Sequence, residues 1–237
     1  MRKYRNEIKY IVSKAIAMEL KSKLSGILDF DSNANENGEY IIKSLYFDDL
    51  ENTAYYEKMD GVLYRKKYRI RTYNDDDRFI RLERKYKHNN LTSKDQMLIS
   101  KEIYSKILSG NVEDIEIDED NLLNQFIMEI RAKHLIPSVI VEYKRTPFTY
   151  PLSNIRITLD EKIKSGRYNY DILDNKLQTY DVIGNNEVVL EVKYDEFLPE
   201  HIEKILETVP AYRQAVSKFA LCRSAKWGII YEFCWYN

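Results

Sequence analysis

The stretch Tyr64-Arg-Lys-Lys-Tyr-Arg-Ile-Arg-Thr-Tyr73 decides the fold of this chain. Successive residues of a β-strand point to opposite faces of its sheet, so residues of equal parity share a face. One face of this stretch therefore carries four cations, Arg65, Lys67, Arg69 and Arg71. Four like charges in a row repel one another unless an anion neutralises them. We predict a strand whose charged face binds a polyanion.

The same alternation recurs along most of the chain and predicts a strand-rich fold. Strands are predicted near residues 3–12, 39–48, 63–74, 78–88, 138–146, 154–161, 186–195 and 227–235. Charged residues share one face in several of them: Arg5, Glu7 and Lys9; Arg81, Glu83, Lys85 and Lys87; Arg156 and Asp160; Glu191 and Lys193. Helices are predicted from Ser13 to about Leu28, from Lys94 to Leu108, from Glu119 to Leu135, from Pro199 to Val209 and from Tyr212 to Cys222.

These charged faces have two interpretations. A single antiparallel sheet commonly has one face in water, so any one strand fits a solvated sheet face. Repetition over several strands, at a density of Arg that solvated faces rarely have, favours a closed barrel. In a barrel the apolar face packs outward under helices and the charged face lines a wet lumen. We therefore predict an α+β fold with one domain over residues 1–237. It is a closed antiparallel β-barrel, a tunnel of about eight strands with a charged lumen and helices packed outside.

The composition excludes several classes of protein. Few Gly and Pro residues interrupt the 237-residue chain, and no linker separates two domains. Cys222 and Cys234 lack the partners of a disulfide scaffold, which favours a reducing compartment. Three scattered His residues argue against a His-built zinc site. No apolar run reaches the ~20 residues that span a bilayer, so we expect a cytoplasmic protein without direct membrane insertion.

The charges also predict the ligand. Basic and acidic residues nearly cancel, at 37 and 38. A lumen with about eight or more cations would nevertheless focus a positive field and attract a strong polyanion. Carboxylates among those cations are typical of a hard divalent metal, because Mg²⁺ or Mn²⁺ takes one or two carboxylates together with phosphate oxygens. The overall pI near 6.4 shows no basic footprint for nucleic acid. The residues indicate a metal-assisted phosphate site and no nucleic-acid partner.

Eight segments, in order over most of the chain, resemble a known family. They are Arg5-Asn-Glu-Ile-Lys-Tyr10, Ser44-Leu-Tyr-Phe-Asp-Asp49, Tyr68-Arg-Ile-Arg-Thr-Tyr73, Glu83-Arg-Lys85, Glu142-Tyr-Lys-Arg145, Arg156-Ile-Thr-Leu-Asp160, Glu191-Val-Lys193 and Ser217-Lys-Phe219. Together they resemble the VTC domain, the polyphosphate polymerase branch of the triphosphate tunnel metalloenzymes. The fold that this resemblance implies is an antiparallel β-barrel tunnel with helices around it, which agrees with the parity argument.

The resemblance implies roles for individual residues. The catalytic residues that hold phosphate oxygens would be Lys9, Arg69, Arg71, Lys85, Arg145, Arg156 and Lys193. Further substrate-binding residues would be Arg5, Lys87, Lys94, Ser217 and Lys218, with the Ser-Lys pair closing one mouth of the tunnel. The leading ligand of Mn²⁺ or Mg²⁺ would be Glu191, with Glu7 and Glu83 as helpers. Asp160 is expected to brace Arg156 or another cation.

Two positions depart from the family patterns. The hydrolase and cyclase branches carry an alternating Glu-x-Glu-x-Lys near the start, where this chain reads Arg5-x-Glu7-x-Lys9. Replacing a carboxylate by Arg removes a metal ligand and adds a phosphate contact, which favours the polymerase branch. The polymerase pattern has a Lys two residues before its Ser-Lys pair, where this chain has Ala215. We expect Arg213 to lie on a helix and to point elsewhere, so one cation of the pattern is missing.

Three classes of function remain open at this point. The first, which the resemblance favours, is a metal-dependent polyphosphate polymerase that transfers the γ-phosphate of ATP or another nucleoside triphosphate onto a growing chain. The second is a hydrolase of triphosphate or polyphosphate in the same tunnel, where water replaces the acceptor phosphate. The third is a module that binds polyphosphate without catalysis. In each case the partners are phosphate compounds, and translocation of a product would need a membrane partner protein.

Overall fold

The computed structural model describes residues 4–89, 91–115, 121–210 and 213–228. The strands are β1 (Arg5–Ser13), β2 (Asp29–Phe30), β3 (Tyr40–Asp48), β4 (Tyr64–Tyr73), β5 (Asp76–His88), β6 (Leu91–Leu98), β7 (Ile136–Tyr150), β8 (Ile155–Gly166), β9 (Thr179–Asp181) and β10 (Glu187–Tyr194). The helices are α1 (Lys14–Ser25), α2 (Thr53–Met59), α3 (Lys101–Ser109), α4 (Leu122–Lys133), α5 (Glu200–Glu207) and α6 (Lys218–Lys226). None of the helices in these ranges is long and apolar enough to span a bilayer.

Eight of the strands close into a ring. The order around it is β7, β3, β4, β5, β6, β1, β10 and β8, and β8 pairs with β7 to complete the circuit. Every pairing is antiparallel. Among the described residues, the junction between β6 and β1 consists of the pairs Arg5↔Thr92 and Asn6↔Leu91. The short strands β2 and β9 extend β7 and β8. The structure confirms the predicted α+β fold with an antiparallel barrel.

Helices cover the apolar outer faces of the barrel. Phe126 and Ile127 of α4 belong to one buried cluster with Ile70 of β4 and Leu82 of β5. A second buried cluster joins α1 and α5 to β1, β8 and β10. Each large aliphatic side chain that becomes fully buried in this way contributes about 1.5–3 kcal/mol. The apolar side chains of the strands pack outward under the helices. The charged side chains, which have the opposite parity, therefore point into the lumen.

The inner surface is apolar where α6 packs on it. Ile42, Val141 and Val189 have the inward parity of their strands, yet they are fully buried together with Phe219 and Cys222 of α6. Burying apolar inward residues under a helix removes them from water. The charged part of the lumen is therefore bounded by α6 and by the segment that leads into it.

The helix predicted from Lys94 to Leu108 is confirmed from Lys101 onward, but its predicted start is wrong. Residues 91–98 form β6, which pairs with β5 in the register Lys85↔Lys94, and α3 begins only at Lys101. Ser100 is the N-cap of α3, and its hydroxyl accepts a hydrogen bond from the Ile103 amide at 3.2 Å. The open edge of β5 provides the hydrogen-bonding partner that no local pattern in residues 91–98 reveals.

The C-terminal part of the chain also differs from prediction. Arg213 forms an antiparallel bridge with Tyr10, and the Gln214 amide donates to the Lys9 carbonyl at 2.9 Å. This segment therefore runs along β1, and α6 begins at Lys218 instead of Tyr212. Of the predicted strand 227–235, residues 227 and 228 form a turn and the others lie outside the described residues. The ring of the described residues takes β6 as its eighth strand.

The remaining helices follow the predictions closely, with one addition. α1 begins after its N-cap Ser13, α4 after Asn121, and α5 after Pro199. Helix α2 was not predicted. The buried Asp48 carboxylate at the end of β3 accepts hydrogen bonds from the Ala54 and Tyr55 amides at 2.8 and 3.1 Å. These hydrogen bonds satisfy amides of the first turn of α2, which have no partner within the helix.

Candidate functional site

The barrel encloses a cavity of about 640 Å³ that is strongly basic. The basic side chains that line it are Arg5, Lys9, Lys58, Arg65, Lys67, Arg69, Arg71, Lys85, Lys87, Lys94, Arg145, Arg156, Lys193, Arg213 and Lys218. Among the described residues, the only carboxylates on its wall are Glu7 and Glu191. Every predicted site residue lines the cavity except Glu83, which lies behind its wall. Such a concave basic surface attracts multivalent anions.

Glu7 and Glu191 lie on neighbouring strands, each opposite a lysine. The register of β1 and β10 places Glu7 opposite Lys193 and Lys9 opposite Glu191. The Lys9 ammonium lies 3.1 Å from Glu7 and 3.3 Å from Glu191, so it bridges the two carboxylates. Lys193 contacts Glu191 as well, and Lys85 lies 2.8 Å from Glu7. Oppositely charged cross-strand neighbours stabilise this part of the sheet.

Both carboxylates are ionised at neutral pH. Burial raises the pKa of Glu7, but the charges of Lys85 and Lys9 outweigh it and hold that pKa well below its usual range. Burial likewise raises the pKa of Glu191, and Lys193 and Lys9 hold it well below its usual range. The two carboxylates in turn raise the pKa of Lys9 despite its burial. This part of the wall is a fixed array of charges with oxygen ligands among them.

Glu83 braces two cations from behind the wall. Its carboxylate accepts from the Arg69 Nε at 2.6 Å and from Lys94 Nζ at 3.0 Å, and its side chain is fully buried. Arg69 also donates to the Tyr46 hydroxyl at 2.8 Å. Burial raises the pKa of Tyr46, but the charges of Arg69 and Arg71 lower it overall. These contacts fix the guanidinium of Arg69 at the cavity surface.

Asp160 is a second brace of the same kind. Its carboxylate accepts two hydrogen bonds from Arg145, at 2.6 and 2.7 Å, and the Lys218 ammonium lies 2.6 Å away. Of the two expected alternatives, Asp160 therefore braces cations other than Arg156, which pairs with Asp31 at 2.8 Å and donates to the Tyr40 hydroxyl at 2.6 Å. Bidentate pairing holds a guanidinium in one orientation. Asp160 therefore positions two cations that are far apart in the sequence, Arg145 on β7 and Lys218 on α6.

The other predicted residues have weaker restraints. Arg71 donates to the Ser44 hydroxyl at 3.0 Å and to the Tyr143 hydroxyl at 3.2 Å. Arg5 pairs with Asp195 at 2.9 Å. The hydroxyl of Ser217 accepts from the Ala220 amide at 3.3 Å, so it caps α6 at the cavity wall. These residues reach the same space from β4, β1 and the start of α6.

The list of predicted site residues omits several cations of the cavity. The alternation of β4 places Arg65 and Lys67 on the charged face with Arg69, but the family resemblance gives these two residues no role. Lys58 lies on the unpredicted helix α2, and no local pattern indicated that it reaches the lumen. Arg213 reaches the cavity because its segment pairs with β1 instead of forming a helix.

The residues on the wall fit a divalent metal bound together with phosphate. Mg²⁺ and Mn²⁺ commonly take one or two carboxylates and complete their coordination with phosphate oxygens and water. Glu7 and Glu191 offer such a pair. No cluster of three or more His, Cys, Asp or Glu that could hold a metal occurs in the part of the chain that the structure describes. The carboxylate of Glu83 is fully buried between Arg69 and Lys94, so it does not face the cavity.

Comparisons with known proteins agree with this architecture. The sequence model of the VTC domain family matches residues 4–225. A putative adenylyl cyclase from Hippeastrum, reported to have a dominant triphosphatase activity, has a similar structure with a TM-score of 0.55 and 16% sequence identity. That alignment covers 94% of this chain and 96% of the other. A putative adenylate cyclase from Bacillus halodurans has a TM-score of 0.52 and 17% identity over 87% of this chain and 90% of the other. No curated protein matches the chain.

Proposed function

The chain belongs to the VTC domain family, and we propose that it is a metal-dependent polyphosphate polymerase that uses ATP. The observation that carries this proposal is the enclosed basic cavity with Glu7 and Glu191 as its two wall carboxylates among the described residues. A chain of phosphates has the repeated negative charge that a long row of lumen cations would bind. We also propose that the protein works in the cytoplasm and that any export of the product depends on a membrane partner protein.

The braced arginines would bind the transferred phosphoryl group. Arg69 and Arg145 are held by the buried carboxylates of Glu83 and Asp160, respectively. Phosphoryl transfer spreads negative charge over the oxygens of the transferred group, and donors fixed in advance stabilise that charge without reorganisation. Arg71 adds donors and Lys9 adds positive charge on the same cavity wall. In this proposal the protein contributes mainly orientation and electrostatic stabilisation.

The chemical step requires no nucleophile from the protein. A terminal oxygen of the acceptor phosphate forms a bond to the γ-phosphorus of ATP, and the bond from that phosphorus to the β,γ-bridging oxygen breaks. The electron pair leaves with ADP, and the acceptor chain grows by one phosphate. An acceptor phosphate oxygen is already ionised near neutral pH, so a strong general base is unnecessary.

A divalent metal would be held by Glu191, with Glu7 beside it. When bound, such an ion supplies charge neutralisation for the phosphate oxygens of the nucleotide. Lys9 bridges the two carboxylates and Lys193 contacts Glu191, so this chain positions both ligands before any ion arrives. Glu83 is left out of this ligand set because its fully buried carboxylate does not line the cavity.

Triphosphate hydrolysis is the second candidate function. The similar protein from Hippeastrum is described as having a dominant triphosphatase activity. The same cavity would bind the triphosphate, and water would take the place of the acceptor phosphate. The basic residue Arg5, which replaces a carboxylate of the hydrolase and cyclase pattern and lines the cavity, favours the polymerase.

A product-length assay tests the proposal. The purified protein is incubated with ATP and Mn²⁺ or Mg²⁺, and the phosphate products are separated by length on a gel. We expect chains longer than triphosphate from the wild type and none from Glu191→Gln or Arg69→Ala. Orthophosphate release without longer chains would replace the polymerase by the hydrolase. Metal-independent binding of polyphosphate without turnover would reduce the protein to a binding module.

A further inference from the structure

Lys67 is a cation of the cavity wall for which no ion pair to a carboxylate is found among the described residues. It lies on β4 directly opposite Lys85 on β5, and the next pair along the same face is Arg65 opposite Lys87. Like charges directly opposite each other destabilise a sheet. Glu7 compensates Lys85 at 2.8 Å, whereas no carboxylate in the described part of the chain forms an ion pair with Lys67. This part of the wall holds an excess of positive charge.

The N-terminus of helix α6 lies near Lys67 and is a second group that attracts anions. The Lys67 ammonium lies 4.1 Å from the centre of the Phe219 ring, in the first turn of α6. The segment from Gln214 to Phe219 lines the same cavity, so the N-terminus of α6 is at its wall. Helix N-termini favour negative charge because their amide groups point outward along the helix dipole. An anion placed here would meet both the ammonium and the helix end.

The side chain of Ala215, which lies on this part of the wall, carries no charge. A recess of about 170 Å³ adjoins the cavity and is lined by Lys58, Met59 and the segment 214–217, among others. Lys58 and Lys67 both line the main cavity together with Ala215. A methyl group does not bind phosphate, so the positive charge at this wall comes from other elements, Lys58 and Lys67 among them.

We propose that Lys67 binds a phosphate group of the bound phosphate chain at this wall and supplies the positive charge that Ala215 does not. The inference rests on the proposed function, because it assumes that the cavity binds a phosphate chain. Burial, together with the charges of Arg65 and Lys58, holds the pKa of Lys67 well below its usual range. A phosphate beside the ammonium would oppose these effects. The ring of Phe219 accommodates the ammonium in the absence of that anion.

Calorimetric titration with inorganic polyphosphate, without nucleotide, tests the inference. The variant Lys67→Met keeps an unbranched side chain over Phe219 and removes the charge. We expect its affinity to be roughly tenfold lower than that of the wild type, as for loss of one charged hydrogen bond. Adding Ala215→Lys to this variant should restore most of the loss. Lys204→Met, which removes an exposed cation on α5, is the matched control and should change affinity by less than about twofold.

The outcomes separate this inference from the proposed function. If Lys67→Met binds polyphosphate as tightly as the wild type while Arg69→Ala does not, the role of Lys67 is wrong and the proposed function stands. If Ala215→Lys tightens the wild type but fails to rescue Lys67→Met, the two positions do not serve the same phosphate and the inference is overturned. A wild type that binds no polyphosphate would contradict the proposed function itself. Thermal melts establish that each variant is folded, and Lys67→Gln serves as the second variant if Lys67→Met is not.

Discussion

At the scale of single residues, the buried carboxylates of the barrel divide into two kinds. Glu83 and Asp160 are fully buried, and each holds two cations of the wall from behind. Glu7 and Glu191 line the cavity itself and lie among lysines. Neutralising a brace should therefore affect mainly stability, and neutralising a wall carboxylate should affect mainly ligand binding.

Glu83→Gln is expected to destabilise the fold. Removing one partner of a buried charge network leaves the other partner uncompensated, which costs about 3–5 kcal/mol. Glu83 neutralises Arg69 and Lys94 together, so we expect a loss of about 3 kcal/mol in the free energy of unfolding. Urea denaturation monitored by circular dichroism measures it. A change below about 0.5 kcal/mol would contradict the assignment of Glu83 as a structural brace.

Glu191→Gln is the matched comparison on the other kind of carboxylate. The side chain of Glu191 lies at the cavity between Lys9 and Lys193. If it is a metal ligand, the variant should lose most of the Mn²⁺ or Mg²⁺ binding seen in the presence of tripolyphosphate, as calorimetry would show. Metal binding equal to that of the wild type would exclude Glu191 as a ligand.

Binding of polyphosphate should weaken as the pH rises through about 8. Burial, and then the charges of Lys9, Lys85 and Arg65, lower the pKa of Lys87 to about 8, although Glu7 opposes them. Lys87 therefore loses its proton near pH 8, and a neutral amine no longer attracts phosphate. We expect roughly tenfold weaker binding at pH 9.5 than at pH 7. Titrations at several pH values measure this decline.

Lys87→Arg is the control for that pH dependence. A guanidinium stays protonated throughout this range, so the decline should become smaller. It should not vanish, because burial also lowers the pKa of Lys85 to about 8. A variant whose affinity falls as steeply as that of the wild type would rule out Lys87 as one of the titrating groups.

At the scale of elements, α6 links stability to the site. Its N-cap Ser217 lies at the cavity wall, and the first residue of the helix, Lys218, contacts Asp160. The apolar side of the same helix packs on inward-facing residues of the barrel. The position of this helix therefore sets one boundary of the cavity.

Ser217→Ala should cost about 1 kcal/mol of stability, because the Ala220 amide loses its cap. Since the cap also orients the helix end at the cavity, polyphosphate affinity should fall as well. Ser13→Ala removes the equivalent cap of α1, whose hydroxyl accepts from the Ile16 amide at 3.3 Å, and Ser13 is not on the cavity wall. The two variants should lose similar stability in urea, but only Ser217→Ala should bind polyphosphate more weakly. If Ser217→Ala and Ser13→Ala bind polyphosphate equally well, the orientation of α6 does not contribute to the site.

At the scale of the whole molecule, the excess charge of the cavity predicts strong stabilisation by an anion. Saturating tripolyphosphate, at about 100 times its dissociation constant, should add about 2.7 kcal/mol of stability. For a chain of this size that corresponds to a rise in melting temperature of roughly 5–10 °C. Differential scanning fluorimetry measures the rise at low and high salt. Because salt screens charges, the rise at a fixed tripolyphosphate concentration should shrink at 1 M NaCl. A wild-type melting temperature unaffected by tripolyphosphate at either salt concentration would contradict a phosphate-binding lumen.

The sequence by itself determined which residues of β1, β4, β5 and β10 share the charged face. Because a strand has a side-chain period of two, the alternation of β4, β5, β1 and β10 predicted the charged inner face and the apolar outer face. The segments that carry the family resemblance provided most of the candidate residues. These features are local, so they could be predicted without knowing how the strands pair.

Only the tertiary structure decided which partners the charges have and where the ring closes. Residues 91–98 have no strong local pattern, and they become β6 because β5 offers an open edge. Arg213 leaves the predicted helix because its segment pairs with β1. Glu83 lies in the same alternation as Lys85, but its burial between Arg69 and Lys94 separates it from the wall carboxylates. Pairing across the barrel depends on residues far apart in the chain, and no local pattern encodes it.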